Sequence, residues 1–398
     1  MTGAEAGNSG PSGRRAADEA FDVVAAVDDV LRRGIEAAAS DIHFEPIADG
    51  LVVKFRLDGA LNCVERFPRA LADNFISRLK VLGGLLTYRT DIPQEGRIDA
   101  SDLPGGCVAD QRLAVFPTIH GQRAVVRLFY ADDSLGDLSR LGFSEGVLSA
   151  LKRIAGDNQG VLLLTGPAGS GKSTTLAALL RHVLGRFPGK SIVTLEDPVE
   201  RHIEGVTQVQ ITPHGQMTFP AALRSLLRQD PEVLMIGEIR DAETAKIAVE
   251  AGLTGHLLMS TLHSGTPAAA LLRLLEMGVE PYQVTSSVRA VANQRLVRKL
   301  CRLCRRRDES TGRFEAVGCE ACFTTGYRGR ALVAELVRLD GELRRAVLAK
   351  ADLEQLEAIL AARGHMSLRQ AGLQLVSQGT TTLAELDRVC GGGEEGMG

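Results

Sequence analysis

The segment Gly166-Pro167-Ala168-Gly169-Ser170-Gly171-Lys172-Ser173-Thr174 fits the pattern GxxxxGK[ST], and its flanks suit the chemistry that pattern performs. The apolar run 161–165 before it predicts a strand, and the helical periodicity of 173–184 after it predicts a helix. A glycine-rich turn between the two lets backbone N–H groups converge on phosphate oxygens, and the helix N-terminus adds its dipole. In such a loop Lys172 contacts the β- and γ-phosphates and the Ser173 hydroxyl holds Mg2+.

Three further apolar runs end in titratable residues. Ile192–Leu195 delivers Glu196-Asp197-Pro198-Val199-Glu200, Val233–Ile236 delivers Gly237-Glu238, and Leu257–Thr261 delivers His263. Open α/β sheets bind ligands at the C-terminal ends of their strands, so Glu196, Glu200, Glu238 and His263 are catalytic candidates beside Lys172. The strand before Gly237 commonly ends in an Asp that holds Mg2+ in nucleotide hydrolases. Glycine in that place leaves the metal to Ser173, water and the Glu196–Asp197 carboxylates. Glu238 is then free to orient or deprotonate the attacking water. No NKxD-type guanine-reading element follows, which favours ATP over GTP.

Four of seven cysteines form two CxxC pairs, Cys301 with Cys304 and Cys319 with Cys322. Paired cysteines in a reducing compartment point to metal, and four thiolates make a closed tetrahedral Zn2+ site. Arg302, Arg305, Arg306 and Arg307 lie close in sequence to offset the net negative charge. Cys63, Cys107 and Cys390 are scattered and carry no such pattern.

These residues need elements to hold them. With 398 residues, 44% apolar and 24% charged, the chain is an ordinary globular protein of two to three domains. Its net charge of −3, the absence of Trp and 4% aromatics argue against nucleic acid as a partner. No apolar run is long enough to span a membrane, and the N-terminus lacks the apolar core of a secretory signal, which predicts a cytoplasmic chain. Residues 1–20 are expected to be a disordered tail and 21–130 a small α+β domain. A linker is expected at 131–140, the P-loop core at 141–300 and the tetracysteine element at 301–330. A C-terminal helical region at 331–390 and a flexible tail at 391–398 complete the chain. The fold class is therefore α/β, with a parallel sheet and crossover helices behind the P-loop.

Gly166–Ser173, Glu196–Glu200, Gly237-Glu238-Ile239-Arg240-Asp241 and Ser260-Thr261-Leu262-His263-Ser264 together resemble the type II secretion and type IV pilus assembly ATPases, over about residues 22–390. In that family these segments correspond to the Walker A, Asp box, Walker B and His box. The resemblance implies a RecA-like P-loop NTPase domain preceded by a small α+β domain and followed by a zinc element plus helices. Arg97, in Pro93-Gln94-Glu95-Gly96-Arg97, and Arg112 then sit where family members present arginines to nucleotide. Arg224 and Arg228, before Gln229-Asp230-Pro231, and Arg330, after the last CxxC pair, are implied nucleotide-side residues. Ala168 and Ser173 replace threonines common in the family, and the gap between CxxC pairs is 14 residues, a shortened metal lobe. The tetracysteine element leans toward secretion or assembly, since retraction-type relatives lack it.

The implied protein is an ATP-hydrolysing motor with Mg2+ and Zn2+. It works as a homo-oligomeric ring, a hexamer, beside an inner-membrane platform protein, associating with the membrane only peripherally at its inner face. The family's first N-terminal domain, which docks on that platform, is expected to be absent, because only about 20 residues precede the small α+β domain. Rival readings are a retraction or DNA-uptake motor of the same family and a low-turnover ATP-binding regulator.

Overall fold

The computed structural model describes residues 21–99, 108–130, 133–211 and 217–391. The tails expected at 1–20 and beyond 391, and the start of the expected linker, lie outside them. The chain divides into two units, Met1–Ala131 and Asp132–Gly398.

The first unit runs α1 (Val23–Glu36), β1 (Asp41–Ile47), β2 (Gly50–Leu57), β3 (Ala60–Pro68), α2 (Arg69–Leu82), β4 (Gln94–Arg97), β5 (Val108–Thr118) and β6 (Gly121–Tyr130). Asp22 starts α1 by accepting the Ala25 N–H, and Val27, Val30 and Leu31 form its buried stripe. The sheet order is β3-β2-β1-β6-β5-β4. Ile42, Phe44, Phe55 and Val126 alternate inward against Phe75, Ile76 and Leu79 of α2. The intervening residues Asp41, His43 and Glu45 take the opposite face, as strand periodicity requires. The β2–β3 turn is Asp58-Gly59, both with left-handed φ.

The second unit carries α3 (Glu145–Ala155), β7 (Gly160–Thr165), α4 (Lys172–Arg186), β8 (Ile192–Glu196), β9 (Thr207–Gln210), α5 (Phe219–Leu226), β10 (Val233–Ile236), α6 (Ala242–Leu253) and β11 (Leu257–Leu262). It continues through α7 (Pro267–Glu276), α8 (Pro281–Ser287), β12 (Val288–Leu300), the short β13 (Arg306–Arg307) and β14 (Phe314–Glu315), and β15 (Tyr327–Arg338). Four helices close it: α9 (Gly341–Leu348), α10 (Leu353–Ala362), α11 (Leu368–Ser377) and α12 (Leu383–Cys390). The main sheet has the order β15-β12-β7-β11-β10-β8-β9. All its pairs are parallel except β12–β15. Val161 and Leu163 of β7 pack into one core with α6 to α10, while Leu162 and Leu164 pack into another with α3 and α4. Both faces are thus covered, which is why these strands read as continuous apolar runs.

Two segments differ from the sequence expectation. From residue 133 the expected linker belongs to the second unit: it forms two short 3-10 turns, and Leu138, 2% exposed, packs into the α3–α4 core. The region expected to be helical from 331 begins as the long strand β15, whose Ala331, Val333 and Val337 face inward. Its partner β12 lies some thirty residues upstream in sequence, so the pairing that makes it a strand is not visible locally. No helix among the described residues is long and apolar enough to cross a membrane.

Candidate active site

The P-loop spans the end of β7 and the start of α4. Gly171, at φ 89°, is the residue before the helix, a conformation that favours glycine. Gly166 has φ 140°, and a Cβ there would stand 2.5 Å from the Gln294 carbonyl oxygen. Lys172 Nζ donates to the carbonyls of Gly166 (2.7 Å) and Pro167 (2.9 Å), which aims the ammonium across the loop. Burial pushes the Lys172 pKa down, the Glu238 and Glu200 carboxylates oppose that, and Arg295 reinforces it. Ser170 is buried, and its hydroxyl has no hydrogen-bond partner among the described residues. A glycine cradle, a lysine aimed across it and an orphaned hydroxyl within it fit a phosphate group.

The neighbouring strand ends converge there. Thr261 Oγ1 donates to the Gly237 carbonyl and Ser260 Oγ to the Ile236 carbonyl, each at 2.8 Å, tying β11 to β10. His263 Nε2 then lies 2.7 Å from Glu238 Oε1, and Arg240 Nε donates to Glu238 Oε2 at 2.7 Å. Arg240 also reaches Asp197 at 3.6 Å. Glu238 is thus gripped at both carboxylate oxygens, each of which still has lone-pair capacity for a water proton.

Glu196 goes elsewhere. It is 9% exposed and accepts from Thr194 Oγ1 (2.6 Å) and Gln208 Nε2 (3.0 Å), toward the β9 edge. Arg224 is exposed and pairs with Glu243 at 2.7 Å, while Arg228 lies beyond the last turn of α5 rather than on its face. Arg330 sits on β15 opposite Arg298.

Sequence reasoning missed Gln294 and Arg295. Asn293 is opposite Thr165 in the β12–β7 register, so the next residues run alongside the P-loop. Gln294, fully buried, donates to the Ser170 carbonyl (2.8 Å) and accepts from Thr175 Oγ1 (3.1 Å). One amide braces the loop against the first turn of α4. Only an apolar-strand pattern interrupted by Asn-Gln-Arg hinted at this.

In the first unit, Arg97 faces Arg112, Arg112 faces Arg127, Arg127 faces Asp41 and Asp41 faces Arg56 across five strands. Against its burial, Arg127 and Arg56 hold the Asp41 carboxyl below its ordinary range. Four guanidinium groups and one carboxylate thus share one row across the sheet.

The four cysteines come together. Their Sγ atoms all lie within 4.8 Å of one another. Cys301–Cys319, Cys304–Cys322 and Cys319–Cys322 are separated by 3.9, 3.8 and 3.7 Å. Ligands of a tetrahedral ion with Zn–S bonds of about 2.3 Å stand roughly 3.8 Å apart, so the donor set fits a metal ion. Cys319 N–H and Gly326 N–H also donate to Cys322 Sγ, each at 3.2 Å. Arg305, expected beside the thiolates, instead donates to the Gly379 carbonyl and lies over the Phe314 ring.

The family described as "Type II/IV secretion system protein" matches residues 16–388. The type IV pilus assembly ATPase PilB of Thermus thermophilus is 40% identical over 377 residues, covering 90% of this chain but 42% of that protein. The type II secretion system protein HxcR of Pseudomonas aeruginosa is 43% identical, covering 92% of this chain and 77% of that one. The chain therefore spans less than half the length of the first of these relatives. Among solved structures, the Legionella pneumophila ATPase DotB superposes with a TM-score of 0.67 at 20% identity, covering 95% of this chain and 98% of that one, and so shares the fold.

Proposed function

The chain belongs to the type II/IV secretion system protein family, and on that premise we propose that it is an ATP-hydrolysing motor powering type II secretion or type IV pilus assembly. The observation that carries this reading is the convergence of Lys172, Glu238 and His263 at the C-terminal ends of the central parallel strands. Lys172 and the backbone N–H groups of 168–173 bind and orient the phosphates. Ser173, with water, holds Mg2+, which neutralises phosphate charge; Asp197, tied to Arg240, lies on the same side. Glu238 orients or deprotonates the attacking water, and His263 and Arg240 fix the direction of its carboxylate. Glu196, committed to Thr194 and Gln208, serves to hold the β8–β9 edge.

The motor works as a homo-oligomeric ring, most simply a hexamer, against a platform protein at the inner face of the membrane. The alignment of Arg97, Arg112 and Arg127 across neighbouring strands supports the N-terminal unit as a reader of nucleotide, because guanidinium groups pair with phosphate oxygens through charge-assisted hydrogen bonds. Arginines supplied to a phosphoryl-transfer site contribute about 10³–10⁵-fold in rate. The tetracysteine cluster binds one Zn2+ as a structural ion.

The test is phosphate release from ATP by the purified chain and by Lys172→Ala. Activity in the first, its loss together with nucleotide binding in the second, and size by light scattering would together support the reading. No nucleotide binding by the wild type would refute it.

A further inference from the structure

Arg295 is a half-buried cation with no carboxylate partner among the described residues. Nη1 donates to Asn293 Oδ1 (2.8 Å) and to the Gln294 carbonyl (3.0 Å), and Nη2 to the Gly265 carbonyl (3.3 Å). All three acceptors are neutral, and no described acid forms an ion pair with it. The acidic groups that act on it, Cys390 and Glu335, do so without bonding to it. Glu335, 6% exposed, accepts from Asn293 Nδ2 (2.8 Å) and pairs with His365 Nε2 (3.0 Å), so Asn293 stands between the carboxylate and the guanidinium. A desolvated charge met only by neutral acceptors is costly, and an anion brought to it recovers that cost.

Its position says which anion. A Cβ on Gly166 would lie 3.1 Å from Arg295 Nη1, and Gly166 supplies the carbonyl that Lys172 Nζ contacts. Gly265, on the other side, follows His263 by two residues, and His263 is bonded to Glu238. Arg295 thus stands between the first residue of the P-loop and the loop that holds the water-directing carboxylate. The lysine of such a loop reaches the β- and γ-phosphates, so a second cation on this side meets the terminal phosphate.

We propose that Arg295 is a terminal-phosphate-reading residue supplied by the same chain, aimed by Asn293 and Glu335, and that it makes the site prefer a nucleoside triphosphate to a diphosphate. This deepens the nucleotide-site reading and rests on it. It also gives the P-loop unit an arginine of its own, in addition to those on the N-terminal unit.

The experiment is equilibrium binding of a non-hydrolysable ATP analogue and of ADP, each with Mg2+, to the full chain. Wild type, Lys172→Ala, Arg295→Gln, Arg295→Lys and Asn293→Ala are compared. Arg295→Gln is expected to lose about 10- to 100-fold in affinity for the triphosphate, the span of one charge-assisted hydrogen bond, with much less change for ADP. Arg295→Lys restores part of the preference, and Asn293→Ala, which keeps the charge but not its aim, falls between. A purely structural role for Arg295 would move both affinities together. Equal losses for both ligands, or an unchanged ratio in Arg295→Gln and Asn293→Ala alike, would overturn the inference while leaving the nucleotide site intact. Failure of the wild type to bind either ligand would instead overturn the nucleotide-site reading beneath it.

Discussion

Glu238 Oε1 and His263 Nε2 are 2.7 Å apart, which joins the ends of two adjacent strands in one polar contact. Arg240 holds the other oxygen of the same carboxylate. A carboxylate fixed at both ends loses little entropy when it directs a water molecule, which is what general-base chemistry requires. Glu238→Gln is expected to bind ATP nearly normally and to lose about 10²–10⁴-fold in kcat. Steady-state kinetics beside equilibrium binding checks this, and wild-type turnover in the variant would remove Glu238 from the role.

Gln294→Ala should damage the P-loop from beneath. The Ser170 carbonyl and the Thr175 hydroxyl each lose a buried partner, and each loss costs about 1–3 kcal/mol. The expected result is a lowered melting temperature and a weakened affinity for ADP and ATP alike. Thermal denaturation with and without ADP measures both, and unchanged nucleotide affinity would show that the brace is not needed.

Stability in acid should depend on Glu385. This side chain is fully buried on α12, bonded to Arg298 through both its backbone N–H and its guanidinium, and to Arg388. Burial alone would raise its pKa, but the guanidiniums of Arg388 and Arg298 prevail and lower it from 4.5 to about 2. A carboxyl with a depressed folded-state pKa stabilises the fold fully above its unfolded value and loses that contribution as pH falls through the folded value. The contribution, on the order of 3 kcal/mol, is therefore lost between about pH 4.5 and pH 2. Glu385→Gln should be less stable at neutral pH and show a flatter stability profile across that window in denaturant titrations.

Metal analysis of the purified chain should find about one zinc ion per molecule. Chelation should loosen the 301–326 lobe and the α11–α12 pair beside it, since Arg305 links the lobe to Gly379. Proteolysis or hydrogen exchange would report this before any change at the P-loop. Absence of zinc, with all four thiols alkylated in the native state, would refute it.

Arg97→Ala and Arg112→Ala should each lower turnover while leaving the N-terminal sheet folded. Each arginine also makes contacts within its own sheet, Arg112 over the Phe129 ring among them, so thermal stability should fall slightly while activity falls much more. A stable variant with full turnover would exclude that arginine from nucleotide chemistry.

Much of the site was legible because its signals are local. The P-loop lies within nine residues, the strand-end acids follow apolar runs, and the cysteines come in CxxC pairs. Such patterns depend on backbone geometry and periodicity over a single element, and one sequence carries them in full. They also identified the family through the same ordered segments. Sequence patterning likewise predicted the parallel sheet, since strands buried on both faces must be continuously apolar.

The tertiary structure decided what depends on which strand lies beside which. β12 follows the P-loop by more than a hundred residues, yet its register with β7 brings Gln294 beneath the loop and Arg295 to its edge. Nothing in the spacing of Asn293-Gln294-Arg295 encodes that neighbour. Glu196 looked equivalent to Glu238 at the end of a strand, but pairing of β8 with β9 supplied Gln208 and drew its carboxylate to the sheet edge. β15 became a strand only because β12 offered a free antiparallel edge. Local chemistry was written in the sequence; the partners of each polar group were set by non-local pairing, where burial and hydrogen-bond satisfaction choose among groups far apart in the chain.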